Sequence, residues 1–253
     1  MPAARLQPIV QHCDQLLRLH DIADFDGAHN GLQVENDGRI TRIAAAVDAS
    51  LATLHAAAAQ KADLLLVHHG LFWSPRVPWT GHQRELMLAL IASNIAVYSA
   101  HLPLDAHPRL GNNARLCAAL GLRTLRPFYW EKGRPIGYQT RTAISRKELT
   151  AQLAKAVGTT PIVLPGGPAI CRRIGVVTGG AGSGLRQAAA EGVDTFITGE
   201  GPHWTHSLAE ELGVNVLYGG HYATETFGVK ALAAHLSKKF RVPWVFVDRP
   251  SGL

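Results

Sequence analysis

The chain has 253 residues, of which 47% are hydrophobic and 17% charged, with 25 glycines and 14 prolines. That balance excludes collagen-like, disordered and coiled-coil classes, and at this length about 70–75% of the unfolded surface can be buried without disulfide or metal support. Lys plus Arg is 25 against 19 Asp plus Glu, a net +6, which permits nucleic-acid or nucleotide partners without demanding them.

The elements alternate along the chain. Residues 9–19 have the spacing of an amphipathic helix, and Ile43–Val47 reads as a short strand. Ser50 is placed to cap a helix running to Gln60. Leu64–Val67 is wholly apolar, as a buried strand should be. A helix is expected over 85–92, a strand over 95–98, and a helix over 113–120 ended by Gly121. A less regular stretch follows. Ser145-Arg146-Lys147-Glu148 is a capping box opening a helix to Val157. Strands are then expected over 174–178, 195–198, 214–218 and 244–247, with helices near 185–191, 207–212 and 224–238. Strands alternating with helices give an α/β fold with mostly parallel sheets flanked by helices.

An internal repeat is visible. Ile43–Gly70 aligns with Ile174–Gly201 at a constant offset of 131, and Val97–His101 with Leu217–His221 at an offset of 120. A longer first-half loop around Phe72–His82 accounts for the difference. The repeat implies a single family domain, 1–253, built of two similar lobes, roughly 1–125 and 126–253, with a metal cleft between them.

Three cysteines, an odd number with no C-x-x-C pair, argue against a disulfide framework and a thiolate zinc site and suit a reducing compartment. No apolar run approaches a membrane span, and the N-terminal segment lacks a signal-peptide core, so a cytoplasmic protein is expected. Histidine is abundant, with thirteen residues. Ligands in open α/β sheets bind beyond the carboxyl ends of strands. There the sequence places His68-His69-Gly70, His101 with Asp105, Gly199-Glu200, and Gly219-Gly220-His221 with Glu225. Singly, each reads as a satisfied core histidine or a helix-cap carboxylate. Together three histidines and two carboxylates of these strand ends form a nitrogen and oxygen ligand set suited to two ions with shared carboxylates and positions open to water. Two-metal hydrolytic sites place such ions about 3.5–4 Å apart. Adjacent histidines point to opposite faces of an extended strand, so His68 and His69 must turn together to serve one ion.

The motifs Asn30-Gly31-Leu32-Gln33-Val34-Glu35, His68-His69-Gly70, His101-x-x-x-Asp105-x-His107-Pro108, Gly111-Asn112-Asn113, Thr198-Gly199-Glu200 and Gly220-His221-x-x-x-Glu225 occur in this order. Together they resemble the Nif-three-like dinuclear metal-centre family, whose short bacterial members carry the name GTP cyclohydrolase 1 type 2 homologue. The resemblance covers nearly the whole chain. It implies metal ligands at His68, His69, Asp105, His221 and Glu225, with Glu225 bridging and Asp105 a second bridging candidate. It also implies two divalent ions per subunit and a toroidal homohexamer. GTP cyclohydrolase-type activity is implied by the resemblance alone. The ligand types do not distinguish Zn, Fe, Mn, Ni and Co. Glu200 is a candidate general base, equally able to pair with a neighbour, and His101 and His206 are candidates to orient ligands from outside.

The leading expectation is a metal-dependent hydrolase acting on a nucleotide-like or phosphorylated small molecule. The rival is a ring-shaped nucleic-acid-binding protein linked to DNA damage, with a structural metal. A metal-storage or chaperone protein is a third reading. The glycines of 179–184 make either a tight turn or a phosphate cradle. Phe72-Trp73, Trp79, Trp130 and Trp204 suit either base stacking or a subunit interface.

Overall fold

The computed structural model describes residues 3–73 and 78–253. Residues 74–77 of the longer loop expected around Phe72–His82 therefore lie outside the described residues. In chain order the elements are β1 (Ala4–Arg5), α1 (Leu6–Leu17), β2 (Gly31–Val34), β3 (Arg39–Ile40), β4 (Ile43–Asp48), α2 (Leu51–Ala59), β5 (Leu64–His69), α3 (His82–Ser93), β6 (Ala96–Ser99), α4 (Leu102–Asp105) and α5 (Asn112–Ala119). They continue as β7 (Arg126–Glu131), β8 (Arg134–Ser145), α6 (Arg146–Val157), β9 (Ile162–Pro165), β10 (Ile170–Val176), α7 (Leu185–Ala190), β11 (Thr195–Thr198), α8 (Thr205–Leu212), β12 (Asn215–Tyr218), α9 (His221–Phe240) and β13 (Trp244–Phe246).

Two compact units result, one of Met1–Leu104 with Gly228–Arg249, the other of Asp105–Phe227 with Pro250–Leu253. The division differs from the expected 125/126 boundary for two reasons. Strand β13 returns to pair in parallel with β4 in the first unit. Leu116 and Cys117 of α5 are buried in the core of the second.

The first unit carries a five-stranded sheet ordered β13-β4-β5-β6-β2, parallel throughout except for the antiparallel edge strand β2. One of its apolar layers is built from alternate strand residues, Ala44 and Ala46, Leu65 and Val67, together with Leu54 and Ala57 of α2 and Leu90 of α3. Ser50 caps α2 by accepting from the Thr53 N–H at 3.1 Å. The second unit carries a six-stranded sheet ordered β7-β8-β10-β11-β12-β9. Only β10-β11-β12 is parallel there; β8 and β9 flank it antiparallel, so this sheet is more mixed than expected. Leu149 and Leu153 of α6 pack on Ile174, Val176, Ile197 and Leu217. Ser145 accepts from the Glu148 N–H at 3.1 Å, and Gly158 closes α6 in the left-handed region.

The repeat extends beyond the strands that revealed it. Ile43 pairs with Leu64, and Ile174 with Thr195, both members of each pair displaced by the same 131 residues. The Asp63 carboxylate accepts from the backbone of Thr41 and Arg42, and that of Asp194 from Arg172 and Arg173, again at that offset. Strand β9 is the counterpart of β2: each is the antiparallel edge beside the third parallel strand.

The stretch expected to be irregular is the long β7-β8 hairpin, turned by Lys132 and Gly133, both at positive φ. All three cysteines are buried and free. Among the described residues, no helix is long and apolar enough to cross a membrane.

Candidate metal centre

In the first unit, the register of β4 against β5 sets Asp48 beside His69. The strand runs on through both histidines rather than ending at Val67, yet the two rings turn toward each other, with centroids 4.8 Å apart. His101, just past β6, joins them at 4.8 Å from His68 and 5.6 Å from His69. One nitrogen from each of the three rings lies within 4.8 Å of the others, a spacing that can hold a metal ion.

Each ring has an oxygen acceptor for its Nδ1–H. His68 Nδ1 lies 2.9 Å from the carbonyl of Ala100, His69 Nδ1 2.7 Å from Asp48 Oδ1, and His101 Nδ1 2.8 Å from Asp24 Oδ1. A proton held on Nδ1 leaves the lone pair on Nε2, the usual outer-sphere arrangement of a metal-binding histidine. Asp24 is itself fixed by Asn30 Nδ2 and by the N–H groups of Phe25 and Leu102. Burial acts to raise its pKa, but the bonds from His101, Asn30 and the backbone outweigh that and hold the carboxyl below its ordinary range.

The Asn30-to-Glu35 motif has a structural role here. Gly31 sits at φ +104, a backbone state that favours glycine. The Asn30 side chain accepts from the His101 N–H at 2.7 Å. Gln33 accepts from the Leu71 N–H and donates to the His29 carbonyl. Its amide lies so close to Gly70 that a Cβ there would meet Gln33 Nε2 at 2.2 Å.

In the second unit, α9 begins at His221, which puts His221 and Glu225 one turn apart on one face. His221 Nε2 is 3.2 Å from Glu225 Oε2, and its Nδ1 is 2.9 Å from Glu200 Oε1. Burial alone would lower the His221 pKa, but Glu225 and Glu200 together lift it to about 9. Gly179, at φ +73, backs Glu225; a Cβ there would meet Glu225 Oε1 at 2.2 Å. The glycines of 179–184 are explained by such close approaches, since Gly182 abuts the backbone of Glu200 and Gly201 and Gly184 the Tyr129 ring. Ala181–Gly184 form a turn of 3-10 helix.

Asp105 is buried and accepts from Asn112 Nδ2 at 2.9 Å. Asn113 donates to the Ile136 carbonyl and accepts from the Thr178 N–H. The Gly111-Asn112-Asn113 motif thus fixes a candidate ligand and the end of β10.

His101, expected to orient ligands from outside, lies with His68 and His69 in a group of rings that could hold a metal ion. Glu200, a candidate base or a neighbour's partner, is paired with His221. The side chain of His206 is exposed on α8, and among the described residues nothing joins it to these donors. Asp24 and Asp48, which orient the histidines, were not singled out in the sequence; Asp24 lies 77 residues from its partner His101. All these donors are imidazole nitrogens and carboxylate oxygens, the set that suits a borderline divalent cation. Their Nδ1 partners and the glycine beside Glu225 fit such an ion.

Relatives match over nearly the whole chain. A Deinococcus radiodurans protein named GTP cyclohydrolase 1 type 2 homolog is 44% identical over 230 residues, 90% of this chain and 88% of the relative. A Halobacterium salinarum protein of the same name is 44% identical, over 94% of this chain and 95% of the relative. The solved structure of TTHA1606 from Thermus thermophilus superposes with a TM-score of 0.91 at 39% identity, covering 99% of this chain and all of that one. The family Duf34/NIF3 (NGG1p interacting factor 3) matches residues 4–251, and the chain belongs to it.

Proposed function

We propose that the chain is a dinuclear metal-dependent hydrolase acting on a nucleotide-like or phosphorylated small molecule, with His68, His69, Asp105, His221 and Glu225 as ligands. The observation that carries this reading is that His68, His69, His101 and His221 all direct Nδ1 at an oxygen acceptor. In His68, His69 and His101 this arrangement holds the proton on Nδ1 and leaves the Nε2 lone pair for a ligand role. When bound, a divalent ion pair supplies positive charge and acidifies a water toward neutral pKa.

The chain's own residues prepare for that charge. Asp48 and Asp24 hold the protons of His69 and His101 on Nδ1. Glu200 does so for His221, and Asn112 orients Asp105. Glu225 is the proposed bridging carboxylate, with Asp105 second. Assembly as a toroidal homohexamer is part of the proposal, and the exposure of Trp79, Trp130 and Trp204 supports it, since Trp is enriched at interfaces. The relatives' shared name makes opening of a purine ring one candidate reaction.

Alanine at His69 and at Glu225, assayed on nucleotides and phosphoesters, tests the reading. Loss of both metal and turnover is expected. Hydrolysis that survives loss of the metal contradicts it. Metal without turnover, together with salt-sensitive binding of single strands, favours the nucleic-acid-binding rival instead.

A further inference from the structure

Two aromatic side chains, Trp73 and Phe25, border the histidine group of the first unit without being buried, and Phe72 lies beside His29. Trp73 stands nearly perpendicular to His101 at 4.8 Å between ring centroids and to His69 at 5.7 Å. Phe25 lies 6.0 Å from His101. Phe25, Phe72 and Trp73 remain 40%, 39% and 38% exposed. Large aromatic rings left this open, and grouped around polar donors, mark a surface that gains by being covered.

The backbone that carries them is anchored on both sides. Asp24 accepts from the Phe25 N–H, and Gln33 from the Leu71 N–H. Gly27 lies against Trp73, where a Cβ would meet its Cα at 3.2 Å. Beside the three histidines these rings make an aromatic wall. A flat, uncharged ring with polar edge atoms suits it: its face can stack while its edge reaches the donors.

We propose that Trp73 and Phe25 form a stacking subsite for a planar heteroaromatic ring of the substrate, a nucleobase or a ring of like shape. This rests on the metal-hydrolase reading and selects, from its nucleotide-like or phosphorylated substrates, the ring-bearing ones. Trp73 is the central platform because it touches two of the three donor histidines.

The test is calorimetric titration of metal-loaded protein with adenosine, guanosine and uridine, and with ribose 5-phosphate as the ring-free probe. The parent, Trp73→Phe and Trp73→Leu proteins are compared after each is shown to hold the parent's metal content. At least one nucleoside should bind the parent. Trp73→Phe should keep that affinity within a few-fold, and Trp73→Leu should lose about tenfold or more, the usual effect of removing a stacking partner. Phe25→Ala should weaken binding in the same direction. Ring binding unchanged in Trp73→Leu, or binding of ribose 5-phosphate with no nucleoside bound, overturns the subsite. The two readings fail separately. Trp73-dependent ring binding without turnover removes the hydrolase and leaves the subsite. Turnover of a ring-bearing nucleotide at an unchanged kcat/KM in Trp73→Leu does the reverse.

Discussion

Nδ1 of His221 stands 2.9 Å from Oε1 of Glu200, while Nε2 of the same ring stands 3.2 Å from Oε2 of Glu225. One imidazole is thus held between two carboxylates. Without a cation, it answers them by keeping a second proton, which is why its pKa rises to about 9 despite the opposing effect of burial. A metal ion on Nε2 must displace that proton.

Metal uptake should therefore release a proton at neutral pH. From this group alone, apparent affinity should fall about tenfold for each pH unit below 9. The sign follows from the raised pKa: the protonated ring competes with metal below 9 and ceases to above it. Competition titrations from pH 6 to 9, with calorimetry in buffers of different ionisation heat, measure both the slope and the proton count. A flat profile contradicts ligation by His221.

Glu200→Gln should keep an oxygen near Nδ1 but lose the charge. Metal affinity is expected to drop about 10-fold, and Glu200→Ala to drop it further, toward 100-fold, the range typical of outer-sphere partners. Asp24→Asn should act in the same direction through His101. Equilibrium dialysis against zinc reads both. A general-base role for Glu200 predicts instead unchanged affinity with lowered turnover.

Gly179→Ala places a methyl group against the Glu225 carboxylate and demands φ +73 of an alanine. The strained backbone alone costs about 1–3 kcal/mol, and the displaced carboxylate should weaken metal binding as well. Thermal unfolding with and without metal separates the two effects, since only the second changes the stabilisation that metal confers.

Asn113→Ala removes the acceptor of the Thr178 N–H and the donor to the Ile136 carbonyl. Each buried group left without its bond costs about 1–3 kcal/mol. Urea unfolding should show the midpoint fall with little change in slope.

Much of this was legible in the sequence, for reasons that particular residues make plain. Ser50 and Ser145 announce their helices because a cap is a local contact. The offset of 131 was legible because parallel strands and their Asp63 and Asp194 partners repeat residue for residue. His221 and Glu225 were legible as a pair because helical spacing is fixed. The β7-β8 hairpin was not: Pro127, Pro135 and Gly137 break the apolar alternation, and the cue was the Lys132-Gly133 turn. Nor was the bond between His101 and Asp24 legible, because Asp24 lies in an irregular segment and no spacing rule connects them. Glu200 is the counterpart of His69 in the repeat, but its partner is chosen by the α9 start, so chemistry at that position differs between the two units.

Metal content per chain, measured by elemental analysis on protein purified without chelator or affinity metal, alongside the His69→Ala form, tests the central claim most directly. About two ions per chain, lost or halved in the variant, are predicted. Protein that holds no metal even after reconstitution would contradict the account and return the strand-end histidines to a structural role.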